Sequence, residues 1–140
     1  MSALSAALER IGDRWSLLLV EALLDGPRRF ADLEAAVAGI STNILTSRLR
    51  HLEAAGVLLA VPYSQRPLRY SYELTDTGRD LGGAVRLLAQ WSADHGAAGR
   101  HAEGAAAPTH ATCGTPMDAV WWCPTCERPD VPGDDDVIWI

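Results

Sequence analysis

The stretch ISTNILTSRLRHLEAAGVL, residues 40–58, has the pattern of a short amphipathic helix. Leu45, Leu49 and Leu52 recur at i, i+4 and i+7, which places them on one buried stripe. Ser41 can cap the helix, because its hydroxyl accepts a hydrogen bond from a free backbone N–H of the first turn. Gly56 supplies the left-handed residue that ends it.

The opposite face of this helix is polar, and its polar residues crowd the N-terminal half. They are Ser41, Thr42, Asn43, Thr46, Ser47 and Arg50. Short hydrogen-bonding side chains and a guanidinium in this position are suited to reading base edges in a DNA major groove. An ordinary solvated surface helix would carry a similar face. The residues that follow decide between the two interpretations.

These next residues predict a β-hairpin with a basic tip. Residues 57–63 form the first strand, with Pro62 confined to its end because proline cannot donate to a ladder. Residues 64–67 form the turn, and residues 68–74 alternate as a second strand. Arg66 and Arg69 therefore lie near the tip, where a guanidinium can reach phosphate or a minor groove. An ordinary surface hairpin is the alternative, but helix and hairpin together favour a nucleic-acid-binding surface.

The flanking sequence predicts the remaining helices. One runs from Ala3 to Ile11, a second is capped by Asp13 and runs to Asp25, and residues 31–38 form the first helix of a helix-turn-helix. Residues 28–30 predict a short extended segment that pairs with the hairpin. Thr75 or Asp76 caps a long last helix whose apolar stripe is either core or a seam facing a partner. That stripe consists of Leu81, Val85, Leu88 and Trp91.

The chain from about Leu8 to His95 resembles the HxlR-type winged helix-turn-helix transcriptional regulators of bacteria, relatives of the MarR group. The matching segments are IGDRWSLLLVEALLDGPRRFADL (residues 11–33), GISTNILTSRLRHLEAAGVL (39–58), RPLRYSYELTDTGRDL (66–81) and Trp91. The resemblance implies a mainly α fold with a small β-wing. It also implies a homodimer that binds a palindromic double-stranded DNA operator, with the terminal helices forming the dimer contact.

One departure from the family concerns redox sensing. Many members carry a cysteine just ahead of the first conserved helix, and some use it as a redox sensor. Ser5, Ala6 and Ala7 occupy that region here. The sequence therefore excludes a thiol switch at that position.

The net charge of −6 is unfavourable for a DNA-binding protein, but the negative charge is unevenly distributed along the chain. Residues 1–100 carry 11 arginines and 11 acidic residues, whereas residues 101–140 carry one arginine and seven acidic residues. The first part is therefore neutral. Its local arginine clusters can still neutralise phosphates. They are Arg28 with Arg29, Arg48 with Arg50, and Arg66 with Arg69. We expect the acidic end to face away from DNA.

Several classes of protein are disfavoured by what the sequence lacks. It has no apolar run of 18 residues for a membrane span and no basic-then-apolar secretory signal, so we expect a cytoplasmic protein. It also has no Gly-rich phosphate loop, no nucleophile elbow and no His/Glu pair at helical metal spacing. The sequence therefore predicts a protein that is not an enzyme.

The C-terminal segment carries a second pattern, His110-x2-Cys113-Gly114, nine residues, then Cys123-Pro124-x-Cys126. Two close ligand pairs on tight turns are typical of a tetrahedral Zn²⁺ site in a short chain, and the cysteine pair resembles the knuckle of a zinc ribbon. His101, Asp118, Asp130 or water could replace His110 as the fourth ligand. Three unrelated cysteines, or a Cys123–Cys126 disulfide, are the alternatives.

These patterns predict a winged helix-turn-helix domain at residues 1–96, a Gly/Ala-rich linker at 97–109 and a zinc-ribbon-like module at 110–140 holding one structural zinc. The predicted function is a sequence-specific DNA-binding regulator, most simply a repressor, acting as a homodimer. The alternative is a module on the same scaffold that binds a small molecule or a protein and has lost operator recognition. An aromatic effector could lie between the last helix and the partner's first helix, against Trp15 or Trp91.

Overall fold

A computed structural model describes residues 2–95, 109–117 and 120–130 of the chain. Its elements are α1 (Ala3–Ile11), α2 (Arg14–Leu23), β1 (Arg28–Arg29), α3 (Phe30–Ala36), α4 (Thr42–Ala54), β2 (Leu58–Gln65), β3 (Leu68–Leu74), α5 (Asp76–His95), β4 (Trp121–Cys123) and β5 (Arg128–Asp130). The chain divides into two compact units, Met1–Arg86 and Leu87–Ile140. The first unit is mainly helical with a small antiparallel sheet.

The core of the first unit is built around α2 and the inner stripe of α4. Asp13 caps α2 as the sequence predicts, since its side chain accepts hydrogen bonds from the backbone N–H groups of Trp15 and Ser16 at 3.1 Å. The fully buried side chains include Leu19, Leu33, Leu45, Leu52 and Leu58. One apolar core therefore joins α2, α3, α4 and the base of the hairpin.

The three-stranded sheet has the order β1-β3-β2 with antiparallel pairing throughout. Arg28 pairs with Tyr72 and Arg29 with Ser71, which confirms the predicted pairing with the hairpin for these two residues. Phe30, predicted to be extended, is instead the first residue of α3. Strand β3 is buried only at its base, because Leu74 is 4% exposed whereas Leu68 is 54% exposed. The hairpin therefore extends beyond the core as a wing.

The position of Pro62 differs from the prediction. This proline lies inside β2, paired with Tyr70, and not at the end of a strand. An edge strand tolerates proline where its missing N–H faces away from the ladder, and β2 is at the edge of the sheet. The register shifts between Pro62 and Ser64, which is a β-bulge at Tyr63. The strand resumes to Gln65, so the turn consists of Arg66 and Pro67 alone, joined by a cis peptide bond.

Helix α5 begins on the far side of β3 and runs for 20 residues. Thr75 caps it, because its hydroxyl accepts a hydrogen bond from the N–H of Gly78 at 3.1 Å. Among the predicted stripe residues, Val85 is buried, whereas Leu88 and Trp91 are 55% and 63% exposed. The stripe therefore belongs to the core in the first part of α5 and is exposed to solvent in the last part. No helix in the described part of the chain is long and apolar enough to cross a membrane.

The second unit contains the short hairpin β4–β5, with Trp121 paired to Asp130 and Cys123 to Arg128. Ahead of it, Thr109 and Pro116 form an isolated antiparallel bridge around a tight turn. The predicted linker lies almost entirely outside the described residues, as do residues 131–140 of the predicted zinc-ribbon-like module. The predicted domain bounds therefore stay a prediction.

Candidate nucleic-acid interface

Helix α4 is positioned by its buried leucines so that its other face points outward. Leu45, Leu49 and Leu52 are at most 2% exposed. Ser41 caps the helix, since its Oγ accepts a hydrogen bond from the N–H of Ile44 at 3.4 Å. Of the six polar residues predicted as a DNA-reading face, five are exposed and Thr46 is half-buried.

Besides the Ser41 hydroxyl that caps α4, three further hydroxyls on this face already form hydrogen bonds within the protein. Thr42 Oγ1 donates to Glu34 Oε1 of α3 at 2.6 Å, which ties the two helices of the helix-turn-helix together. Thr46 Oγ1 donates to the carbonyl of Thr42 at 2.8 Å. Ser47 accepts a long hydrogen bond from Arg48 at 3.4 Å. Among the described residues, Asn43 and Arg50 form no side-chain hydrogen bond, so they are the most available groups of the face.

The ten arginines of the first unit fall into three groups, and the division was not evident from the sequence. Four of them hold the fold together through hydrogen bonds: Arg10 to Ala55 O, Arg28 to Ala22 O, Arg48 to Asp13 and Arg79 to Leu74 O. Arg48 and Arg28 are therefore not free to neutralise phosphate, which revises the expectation for their clusters. Arg14 and Arg29 stack on the rings of Trp15 and Tyr63. Within the described residues, the guanidinium groups of Arg50, Arg66, Arg69 and Arg86 form no hydrogen bond, salt bridge or aromatic contact.

Three of these four unengaged arginines lie on α4 and the wing. Arg50 is exposed on α4, Arg66 occupies the turn and Arg69 follows it at the start of β3. The structure thus leaves arginines without a hydrogen-bonding or ion-pair partner at the places where the sequence predicted DNA contacts. Arg86, the fourth, is exposed on α5.

A further cation lies beside the wing and was not among the predicted contacts. The guanidinium carbon of Arg29 stacks over the ring of Tyr63, 4.7 Å from its centroid. Such a contact holds an exposed arginine in a defined position. Because the two residues are 34 positions apart and meet only across the sheet, local sequence pattern contained no signal for it.

A concave surface of about 340 Å³ separates α4 from the wing, lined by Thr46, Leu49, Arg50, Glu53, Ala60, Tyr70 and Tyr72. The pKa of Tyr72 is raised, first by burial and then by the negative charge of Glu53, with Arg50 acting in the opposite direction. Tyr72 is therefore a neutral phenol at physiological pH. Arg50 therefore lines a partly apolar concave surface that also contains the carboxylate of Glu53.

The four predicted metal ligands form two pairs in the second unit. His110 Nδ1 lies 3.3 Å from Cys113 Sγ in the first turn. The pKa of Cys113 is lowered, because the hydroxyl and then the N–H of Thr115 hydrogen-bond to its sulfur. The pKa of Cys123 is lowered by the backbone N–H groups of Cys126 and Thr125 and by the Cys126 thiol. Among the described residues, no three such ligands stand close enough together to hold a metal ion.

Comparisons with known proteins agree with this geometry. The first, an uncharacterised HTH-type transcriptional regulator of Mycobacterium tuberculosis, Rv3095, is 45% identical over 89 residues, which are 64% of this chain and 56% of the relative. The chain thus matches little more than half the length of that protein. YtcD of Bacillus subtilis, also an uncharacterised HTH-type transcriptional regulator, is 37% identical over 93 residues, covering 66% of this chain and 74% of the relative.

Solved structures extend the likeness. The crystal structure of ytcD is 38% identical with a TM-score of 0.64, covering 68% of this chain and 97% of that one. The crystal structure of PA1607, a candidate transcription factor, is 30% identical with a TM-score of 0.77 and covers 97% of this chain and 93% of that one. The model of the HxlR-like helix-turn-helix family matches residues 10–99, which span α2 to α5. The chain therefore belongs to the HxlR-like helix-turn-helix family.

Proposed function

We propose that this protein is a transcriptional regulator, a repressor, that binds a palindromic operator as a homodimer, with α4 in the major groove and the wing on the flanking backbone or minor groove. The observation that carries the proposal is the distribution of unengaged arginines. Four arginines of the first unit build the fold through hydrogen bonds, and Arg14 and Arg29 stack on aromatic rings. Three of the four that form none of these contacts lie on α4 and the wing. Free guanidinium groups in these places neutralise phosphate and read bases.

Asn43 and Arg50 are the proposed base-reading pair. Both are exposed on α4 and form no side-chain hydrogen bond among the described residues. An amide can bind the edge of adenine in two places, and a guanidinium can do the same with guanine. Thr42 and Thr46 retain lone pairs that accept from bases while they donate within the protein. Ser41 and Ser47, both exposed, would contact phosphates at the rim of the groove.

The dimer is proposed from the exposed apolar side chains of the two terminal helices. Leu4 and Leu8 are exposed on α1, and Leu87, Leu88 and Trp91 on α5. A homodimer would place two copies of α4 about 34–36 Å apart, which matches successive major grooves on one side of the duplex. Operators for such dimers are palindromic because the protein is two-fold symmetric.

Binding to an operator selected from random duplex DNA tests the base-reading assignment. Arg50→Ala should weaken operator binding by about 1–3 kcal/mol and relax specificity at one base position. Arg50→Lys keeps the charge but loses the planar fork, so it should lose specificity while keeping nonspecific affinity. Arg86→Ala removes an equally unengaged arginine from α5 and should leave operator binding unchanged. Unchanged affinity and specificity in Arg50→Ala would show that Arg50 does not read bases.

The wing is tested by the salt dependence of the same binding. Arg69→Ala should weaken binding to all sequences about equally and lower the salt slope by roughly one phosphate. If the full chain bound no duplex DNA in a salt-dependent manner, the alternative would be favoured: a small-molecule- or protein-binding module that keeps the scaffold but has lost operator recognition. Reporter expression from the selected operator, with and without the protein, decides between repressor and activator.

A further inference from the structure

The two turns that carry His110, Cys113, Cys123 and Cys126 share one backbone design. In the first turn Gly114, the residue after Cys113, has a φ of 70°, and its N–H donates to the carbonyl of His110 at 2.8 Å. In the second turn Glu127, the residue after Cys126, has a φ of 52° and is the one non-glycine residue with positive φ in the described part of the chain. The left-handed conformation is unfavourable for a residue with a side chain, so the repeated geometry indicates a common requirement.

Each turn is closed by strand-like pairing on both sides. Thr109 bridges Pro116 around the first, and the N–H of His110 donates to the carbonyl of Thr115 at 2.8 Å. Cys123 pairs with Arg128 around the second. In both cases the paired backbone holds two ligand-type side chains on one tight turn. The three cysteines are free thiols.

The separation within the first pair fits one metal ion. His110 Nδ1 and Cys113 Sγ are 3.3 Å apart. Two ligands of one tetrahedral zinc, at about 2.0 Å for nitrogen and 2.3 Å for sulfur, lie about 3.6 Å from each other. A shift of a few tenths of an ångström would therefore place both atoms on a shared Zn²⁺. In the second pair, Cys123 ends β4 and Cys126 lies in the turn that leads to β5.

We propose that His110, Cys113, Cys123 and Cys126 of one chain bind a single Zn²⁺ tetrahedrally, with each turn supplying two ligands. The two pairs do not yet converge among the described residues, so the metal draws the turns together. Binding free energy in small zinc modules is also folding free energy, and convergence is expected to accompany uptake. Four protein ligands leave no open position, so the site is structural and not catalytic.

Metal analysis of the full chain, purified under reducing conditions without chelator, tests this proposal. We expect one zinc per chain. Replacement by Co²⁺ should give the visible spectrum of a tetrahedral site with sulfur-to-metal charge transfer from three thiolates. Cys126→Ser should abolish stoichiometric binding, and Cys113→Ser should reduce the charge transfer to that of two thiolates at most.

The fourth ligand is tested by a matched pair of histidine variants. Loss of a group that only supports a metal ligand weakens metal binding by about 10–100-fold. His110→Ala removes a proposed ligand itself, so it should weaken zinc binding by more than this. His95→Ala removes a histidine that stacks on Trp91 and hydrogen-bonds its carbonyl, and it should leave the zinc content unchanged. Equal zinc affinity in both variants would remove His110 from the site.

Three other outcomes would overturn the proposal. The first is a chain that contains no stoichiometric zinc and takes up no cobalt. The second is half a zinc per chain, which would indicate a site shared between two copies. The third is a Cys123–Cys126 disulfide in the reduced preparation. The circular dichroism of each variant, recorded beside its metal content, should keep the helical signal of the first unit. If a variant loses both its zinc and this helical signal, the ligands are tested instead by alkylating the thiols of the folded wild-type chain. Alkylation should release the zinc.

Discussion

At the scale of single residues, Asp13 shows how one side chain joins two elements. Its carboxylate caps α2 and also accepts from the guanidinium of Arg48 on α4 at 3.3 Å. Burial alone would raise the pKa of this carboxyl. The hydrogen bonds from the Ser16 hydroxyl and N–H and from Arg48 outweigh burial, so the pKa lies below the usual value of 3.8.

This lowered pKa determines the direction of a pH effect on stability. Because the folded pKa is below the unfolded one, Asp13 stabilises the fold above about pH 3.8, and the contribution disappears as the pH falls through the folded value. Asp13→Ala should lower the free energy of unfolding at pH 7 by about 1–2 kcal/mol through loss of the cap. Asp13→Asn keeps a capping oxygen and should cost less, while flattening the acid limb of the stability curve.

Urea unfolding between pH 3 and pH 7, at one protein concentration, measures this effect. Asp25→Ala is the matched control. Asp25 also faces an arginine, Arg28, but at 3.7 Å and with 86% of its side chain exposed, so its removal should change stability by less than about 0.5 kcal/mol. An Asp25 effect as large as that of Asp13 would show that surface charge, and not the cap, is responsible.

At the scale of elements, the start of α5 is locked against the junction of α4 and β2. The N–H of Thr75 donates to the carbonyl of Val57 at 3.0 Å, and its hydroxyl donates to the carbonyl of Gly56 at 2.7 Å. Gly78 lies in the first turn of α5, directly over this junction. A Cβ there would stand 2.0 Å from Val57 O and 3.1 Å from Leu74 Cδ2.

Two glycines of α5 should therefore respond in opposite directions to alanine. Gly78→Ala should destabilise the fold by about 1–3 kcal/mol, because the helix must move away from a backbone carbonyl. Gly83→Ala, with nothing within 4 Å of its Cβ position, should stabilise it by about 0.5–1 kcal/mol through helix propensity. Thermal and urea unfolding measure both. Stabilisation by Gly78→Ala would contradict the close approach of α5 to β2.

The helix-turn-helix is also tied to α1 by a reciprocal pair of hydrogen bonds. His51 Nε2 on α4 contacts the carbonyl of Arg10 at 2.7 Å, and the Arg10 guanidinium donates to the carbonyl of Ala55 at 2.9 Å. The C-terminal ends of α1 and α4 therefore hold each other's free carbonyls. In the proposed dimer, this contact would transmit the position of α1 to the DNA-reading helix.

At the scale of the whole molecule, the proposed operator geometry requires the protein to be a dimer. Leu8 on α1 and Leu88 on α5 are 52% and 55% exposed, although each lies on an apolar stripe. Burying such faces between two copies would stabilise a dimer in proportion to the apolar area removed from water. A charge in that position would oppose association.

Leu8→Glu and Leu88→Glu should each shift the protein toward monomer at micromolar concentration and weaken binding to a palindromic operator more than to a half-site. Leu59→Glu is the control, because Leu59 is 50% exposed but lies on β2. It should leave the oligomeric state unchanged. Sedimentation velocity measures all three, and a wild-type chain that remains monomeric at this concentration would rule out the two-half-site arrangement.

Local sequence determined the parts of this protein whose hydrogen bonds close within a few residues. The bounds of α1, the caps at Asp13, Ser41 and Thr75, and the buried stripe of α4 agree with prediction. Each depends on the 3.6-residue period or on a side chain bonding to a backbone group two or three positions away. The proposed DNA contacts and zinc ligands were likewise selected from the sequence, and they stay predictions.

Tertiary structure alone decided which groups are free to act. Arg48 and Arg50 are alike in sequence, yet Arg48 is held by Asp13, 35 positions away, while Arg50 has no hydrogen-bonding partner in the described residues. Pro62 lies within β2 because the order of strands places β2 at an edge and a bulge absorbs the irregularity. Whether an arginine is structural or available, and whether a strand tolerates proline, depends on neighbours that only packing brings together.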